Sequence, residues 1–183
     1  LHAKVRESWN LDPVIEEVVA NDFVGVSPDD VKADLSLINT ALPDKYTRDR
    51  LAIAMYRLDY NYSLYSYERF HAAHTQADIH RMWWEDIQLL MEQFDTRDNL
   101  AYFIPYYRTD NCSHCMTIPP IDSNVLNILA TPYLGSEIQE SNINNRDFVV
   151  HLVDDTQPLQ SYLETETTDG ELTPEHAAEC SAL

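Results

Sequence analysis

The stretch that decides the fold runs from Asp44 to His74 and reads DKYTRDRLAIAMYRLDYNYSLYSYERFHAAH. It lies within a span of sixty-one residues, between Pro43 and Pro105, that contains neither glycine nor proline. Since these two residue types usually punctuate turns, helices are expected to fill the span. Residues recur at the spacing of one helical face at Ile53, Tyr56, Tyr60, Leu64, Tyr67, His71 and Asp78. A second, apolar stripe runs through Leu51, Met55, Leu58, Tyr62 and Tyr65 on the opposite side. The pattern predicts a long helix over residues 44–75 with neighbours on both sides.

The residues that follow predict a second long helix. Over residues 76–95 an amphipathic pattern runs through Trp83, Ile87, Leu90, Met91 and Phe94. Residues 96–108 predict another short helix, stopped by Pro105. Strand-like runs are confined to 22–26 and 148–153, which can form at most a short strand pair. The predicted fold class is therefore mainly α, a single helical domain built around one or two long central helices at about 44–75 and 76–95.

Two helix starts can be located upstream of this span. Asp12 precedes Pro13 and is predicted to be an N-cap. Ser27, with Pro28 after it and Asp30 three positions on, predicts a capping box.

Composition and charge limit the classes of function. The chain has 183 residues, 44% hydrophobic and 23% charged, as expected of a folded globular protein, and no apolar run is long enough to span a membrane. The formal net charge is -19, of which residues 110–183 carry 13 acids against Arg146 alone, or -12. Because ordinary nucleic-acid binding depends on Lys and Arg contacts to phosphate, it is not expected. This charge favours a basic protein partner or a cation, or serves solubility alone.

The C-terminal end differs from the rest of the chain. Residues 164–183 are acidic, with no Lys or Arg, and predict a tail with a short terminal helix that follows a globular domain at 1–163. The tail is expected to contact the body of the fold or a neighbouring molecule. The chain begins with Leu rather than Met, which favours a processed or extracytoplasmic protein.

One histidine-rich segment predicts a metal site. In a helix over residues 67–86, His71, His74 and Asp78 would share one face, because they are three and four positions apart. Imidazole and carboxylate groups bind zinc, iron or manganese. The alternative is that the segment is only the polar seam of a packed helix.

Aromatic residues in the same region predict a ligand pocket. The set is Tyr56, Tyr60, Tyr67, Trp83 and Trp84. A tyrosine combines an apolar ring with a hydroxyl, which suits both pockets and protein interfaces. The alternative is that these rings are core residues.

The chain has three cysteines: Cys112, Cys115 and Cys180. The first two form a C-x-x-C with His114 inside it, which is compatible with a disulfide, free thiols or a metal site. Their position between Pro105 and Pro119 does not resemble the strand-to-helix setting of a redox motif.

Three functional hypotheses follow. The sequence contains no G-x-S-x-G, phosphate-binding glycine loop or H-E-x-x-H motif, which favours a non-enzymatic subunit or interaction domain whose acidic C-terminal part contacts a partner. The second hypothesis is a metal-binding protein or metalloenzyme that uses the His and Asp face. The third is a small-molecule sensor with the Tyr and Trp pocket.

Overall fold

The computed structural model describes residues 2–60, 63, 66, 67, 71, 75–107 and 138–165. Within these residues the chain is mainly helical and carries a small parallel sheet of three strands. The helices are α1 (His2–Trp9), α2 (Asp12–Asp22), α3 (Pro28–Ala33), α4 (Ile38–Lys45), α5 (Gln76–Phe94) and α6 (Asn145–Val153). The strands are β1 (Leu51–Ala54), β2 (Leu100–Ile104) and β3 (Tyr162–Leu163), and 3-10 turns lie at Leu35–Leu37 and Gln139–Ser141.

Helices α2 to α4 share a small core of their own. Ile15 and Val19 of α2 pack on Val31 of α3. The capping box predicted at Ser27 is confirmed, because its hydroxyl and backbone exchange hydrogen bonds with Asp30. The N-cap prediction for Asp12 is wrong: the helix begins at Asp12 itself, whose carboxylate pairs with Arg6 at 2.7 Å.

The three strands lie in the order β1, β2, β3, and both neighbouring pairs are parallel. Helix α5 follows β1 in the chain and α6 precedes β3. On one face of the sheet, Trp83 and Ile87 of α5 pack against Ile104. On the other face, Phe148 of α6 packs against Phe103, with ring centroids 5.2 Å apart. The sheet therefore lies between α5 and α6.

The prediction of one helix over 44–75 is wrong, since α4 ends at Lys45 and residues 51–54 form β1. The physical reason is partial cover on both faces, since Leu51 to Ile53 of β1 are half-buried. Ala52 and Tyr56 pack on the α6 side of the sheet, whereas Met55 packs on the α5 side. A strand covered on both faces is apolar at nearly every position, so its residues also satisfy a helical pattern with two apolar stripes.

Two other predictions are wrong for related reasons. In the region 96–108, where a short helix was predicted, the described residues 96–107 form none, because β2 occupies 100–104, where every residue except Tyr102 is buried. The strand pair predicted at 22–26 and 148–153 does not form, since α6 covers 145–153 and residues 23–26 are irregular backbone after the end of α2 at Asp22. The β-branched run in α6 is overridden by packing and capping. The predicted helix 76–95 corresponds to α5, which ends one residue earlier.

Helix α6 is fixed at both ends. At its start, the Asn144 side chain accepts a hydrogen bond from the Asp147 amide at 2.8 Å. At its end, Arg50 donates from Nη1 to the carbonyls of His151 (2.9 Å) and Asp154 (2.8 Å). Its Nη2 donates to the carbonyls of Asp155 (3.3 Å) and Gln157 (2.5 Å). Because Arg50 directly precedes β1, these hydrogen bonds hold α6 and the turn after it next to the start of that strand. Among the described helices, none has the length and apolar character needed to cross a membrane.

Candidate functional site

The residues of the predicted metal site do not share one helix. Thr75 has an extended backbone, with φ -132° and ψ 153°, and α5 begins only at Gln76. His71 lies exposed in a bend before this break, and His74 lies outside the described residues. The Asp78 carboxylate accepts a hydrogen bond from the Thr75 hydroxyl at 2.7 Å. Within the described ranges, no group of three His, Cys, Asp or Glu residues is placed to hold a metal ion.

The five residues of the predicted aromatic pocket are distributed over the core. Tyr67 and Trp83 meet edge to face on the α5 side of the sheet, with ring centroids 6.1 Å apart. Tyr56 belongs to the α6 side and Tyr60 to a third cluster with Tyr107. Trp84 is half-buried and stacks on the Arg57 guanidinium at 4.0 Å. Tyr67, Trp83 and Trp84 of this set belong to one cluster, whereas Tyr56 and Tyr60 belong to two others, so the five do not line one cavity among the described residues.

Burial also shifts the pKa values of two neighbouring groups, Tyr60 and His80. The Tyr60 ring contacts the His80 ring at a centroid distance of 4.4 Å. Burial raises the pKa of the Tyr60 hydroxyl to about 12 and lowers the pKa of the His80 imidazole to about 4. Both groups are therefore uncharged at neutral pH, and His80 contacts the Gln76 side chain at 2.8 Å.

The cysteines Cys112, Cys115 and Cys180 and residues 166–183 of the predicted tail lie outside the described residues. The first two residues of that tail, Glu164 and Thr165, are described, and both make hydrogen bonds to residues before the tail. Glu164 is buried and its carboxylate accepts the Tyr106 amide hydrogen bond at 2.7 Å. Thr165 donates from its backbone amide to Glu140 at 2.9 Å.

The outer side of α6 presents three valines that the sequence reasoning missed. Val149, Val150 and Val153 are 45%, 47% and 76% exposed. On the inner side of the same helix, Asn145 is buried and Phe148 packs against the sheet. We call the three residues the valine face. In the sequence, a helix here was indicated by the helical spacing of the valines and by Asn144 and Asp147, which start the helix. The β-branched valines nevertheless led to the prediction of a strand.

Carboxylates border the valine face. Asp147 lies in the first turn of α6, and Asp154 and Asp155 follow its last turn. Hydrogen bonds from Thr156 lower the pKa of Asp154, which keeps this group ionised at neutral pH. The basic side chains on this helix are Arg146 and His151. The result is an apolar patch with a predominantly acidic border.

A second surface feature lies between α5 and the segment that leads into α4. It is a groove of about 500 Å³, which we call the acidic groove. Its polar lining residues are Asp34, Ser36, Asn39, Asp86 and Gln93, and Leu89 and Leu90 complete the wall. Because these residues come from segments about fifty positions apart, no local pattern could have assembled them.

Hydrogen bonds orient the two acids of the groove. Asp34 accepts the Ser36 amide at 2.9 Å, and Asp86 accepts the Tyr67 hydroxyl. Gln93 differs: its Oε1 is buried and accepts no hydrogen bond within the described part of the chain.

The two surfaces offer different binding chemistry. The valine face presents apolar area, whereas the acidic groove presents negative charge and hydrogen-bond acceptors. The chain matches no protein-family model, no curated protein and no solved structure.

Proposed function

We propose that the protein is a non-enzymatic interaction domain, or a subunit of an assembly, whose acidic C-terminal part contacts a protein partner or neighbouring subunit. The observation that carries this proposal is the valine face. Three apolar side chains, half to three-quarters exposed, lie together on one side of a short helix. Exposed apolar patches with a polar border are typical of protein-interaction sites.

The border of the face defines the chemistry of the partner. Asp147, Asp154 and Asp155 contribute three negative charges, against two positive charges from Arg146 and from Arg50, whose guanidinium lies at the end of α6. The wider segment 110–183 carries a net charge of -12. A partner with an apolar centre flanked by Lys or Arg would complement both features, and the charges would accelerate its association.

The rigidity of α6 supports the same function. Arg50 binds the carbonyls at its C-terminal end, and Asn144 caps its start. A surface held in one conformation before binding loses less conformational entropy when the partner docks.

A helical peptide with a leucine face bordered by lysines is a suitable probe for the valine face. We expect the full chain to bind it in 0.1 M salt and to bind a version with glutamate in place of lysine much more weakly. Val150→Ser and Val153→Ser should each weaken binding by roughly three- to tenfold, because each removes part of the apolar contact. Val24→Ser is the matched control, since Val24 is 91% exposed in a loop remote in sequence from α6. Equal binding by the three variants and the original chain would refute the proposal.

The contribution of the acidic end can be tested separately by removing residues 166–183. The cut belongs after Thr165, because Glu164 is buried and holds the Tyr106 amide. We expect weaker binding of the lysine peptide and unchanged helical circular dichroism. Sedimentation of the full chain with and without Val153→Ser tests whether the neighbour is a second copy. Unchanged assembly and unchanged peptide binding after truncation would contradict a role for the acidic end.

A further inference from the structure

We infer that the acidic groove is a second binding site and that its ligand is a protonated amine or a guanidinium group on an alkyl chain. The groove adjoins α5, whereas the valine face is on α6, across the sheet. This inference therefore goes beyond the proposed function and does not depend on it.

The charge of the lining selects a cation. Of the seven residues that line the groove, two are carboxylic acids and none is Lys, Arg or His. Asp34 and Asp86 come from different elements, the end of α3 and the middle of α5. Hydrogen bonds between a charged donor and a carboxylate are among the strongest in proteins, and they favour ammonium and guanidinium groups.

The uncharged polar residues of the lining also favour a ligand that donates hydrogen bonds. Gln93 Oε1 is buried without a hydrogen-bond partner in the described residues, which is uncommon for a buried acceptor. A ligand N–H group in the groove, with a small rotation of this amide, would supply the missing donor. Ser36 and Asn39 add further oxygen acceptors to the same wall. Ammonium and guanidinium groups carry three and five N–H donors respectively, so they can serve several acceptors at once.

The apolar lining accounts for the alkyl part of the ligand. Leu89 is 57% exposed although it lines the groove, and Leu90 lies beside it. A chain of methylene groups would cover these side chains while its charged end reaches the carboxylates. A volume of about 500 Å³ is sufficient for a small organic cation or for one or two side chains of a protein.

The same chemistry is available from a free polyamine-like molecule and from a Lys or Arg side chain. Agmatine is the probe for the free source, since it has an ammonium and a guanidinium group on a four-carbon chain. The tetrapeptide Ac-Leu-Arg-Leu-Lys-amide is the probe for the side-chain source. Binding is measured on the full chain by ¹H–¹⁵N NMR, and the side-chain NH₂ signal of Gln93 reports the site.

Asp34→Asn and Asp86→Asn test the role of the two charges. Each keeps an oxygen that can accept the bond from Ser36 or Tyr67, so both variants should retain the fold. We expect each to weaken binding about tenfold, as loss of one charge-assisted hydrogen bond does. Glu92→Gln is the matched control: it removes one charge from the same helix at an exposed position that does not line the groove.

Saturable shifts of Gln93 with agmatine, weakened by both Asn variants and unchanged by Glu92→Gln, would support the inference. Much tighter binding of the tetrapeptide would assign the ligand to a protein side chain, and equal or tighter binding of agmatine would assign it to a free amine. The inference is overturned if neither probe gives a saturable shift at about 50 mM, or if both Asn variants bind as the original chain does. Val153→Ser should leave these affinities unchanged, so failure at the groove is distinguishable from failure at the valine face.

Discussion

Replacing Arg50 by alanine is expected to destabilise α6 more than α5 or the three strands. Arg50 is half-buried and makes four hydrogen bonds to carbonyls of α6 and the turn after it. Bonds from a charged donor contribute about 1.5–3 kcal/mol each when measured singly, but bonds that share one side chain are not additive. We therefore expect Arg50→Ala to lower the free energy of unfolding by about 2–4 kcal/mol. Arg50→Lys keeps the charge but loses the planar fork, so it should cost about half as much.

Urea denaturation of the two variants measures the loss of stability, and amide hydrogen exchange locates it. Arg48→Ala is the matched control, because Arg48 is an exposed arginine two positions earlier. A surface substitution of this kind should change the free energy of unfolding by no more than about 0.5 kcal/mol. Exchange in Arg50→Ala should increase first in Asn145–Val153 and less in α5.

Two results would refute this reasoning. If Arg50→Ala and Arg48→Ala destabilise the protein equally, the four hydrogen bonds do not stabilise the fold. If Arg50→Ala is destabilised but α6 exchanges as before, Arg50 acts elsewhere than at the end of α6.

Three further predictions concern single side chains. Glu164→Ala should lower the free energy of unfolding, measured by urea titration, by about 1–3 kcal/mol, because the Tyr106 amide loses its acceptor. Glu164→Gln keeps an oxygen that can accept this bond, so it should lower the free energy of unfolding clearly less. Ser27→Ala removes the capping box of α3 and should cost about 1 kcal/mol, against no measurable change for the exposed control Ser141→Ala. The pKa of His80 is about 4, below the ordinary 6.5, because the imidazole is buried. The stability that the neutral imidazole contributes to the fold is therefore fully present above pH 6.5 and is lost as the pH falls through about 4. The loss amounts to up to roughly 3 kcal/mol, and His80→Gln should flatten the stability profile in that window; an unchanged profile would show that His80 is not the titrating group.

Local chemistry in the sequence was sufficient to locate some elements. The Ser27 capping box and the helix after Thr75 are determined by neighbouring residues. By contrast, β1 exists because Leu51 to Ala54 pair with residues 100–103, which lie forty-nine positions away. A strand buried on both faces and a helix buried on both faces have similar apolar patterns, so periodicity alone could not separate them.

The candidate surfaces show the same division between local and tertiary information. The three valines of the valine face lie within five consecutive positions and at helical spacing, but only the contact of Phe148 with the sheet establishes which side of α6 is exposed. The acidic groove depends wholly on tertiary contact, because α4 and α5 must pack together before Asp34 and Asp86 face one cavity. The sequence reasoning placed the predicted metal face on one helix, whereas the extended backbone of Thr75 separates His71 from Asp78 and His74 lies outside the described residues.

The position of the sheet between α5 and α6 determines how the two surfaces can be used. Because the acidic groove and the valine face are on helices that cover opposite sides of the sheet, one short segment of a partner cannot contact both. Substitutions at the two places should therefore act independently, as expected for distant residues with no shared contacts. In the double variant Asp86→Asn with Val153→Ser, agmatine binding should fall only as far as in Asp86→Asn, and lysine-peptide binding only as far as in Val153→Ser. A larger loss for either probe would mean that the sheet core, through Phe103 and Ile104 on its two faces, transmits a change from one helix to the other.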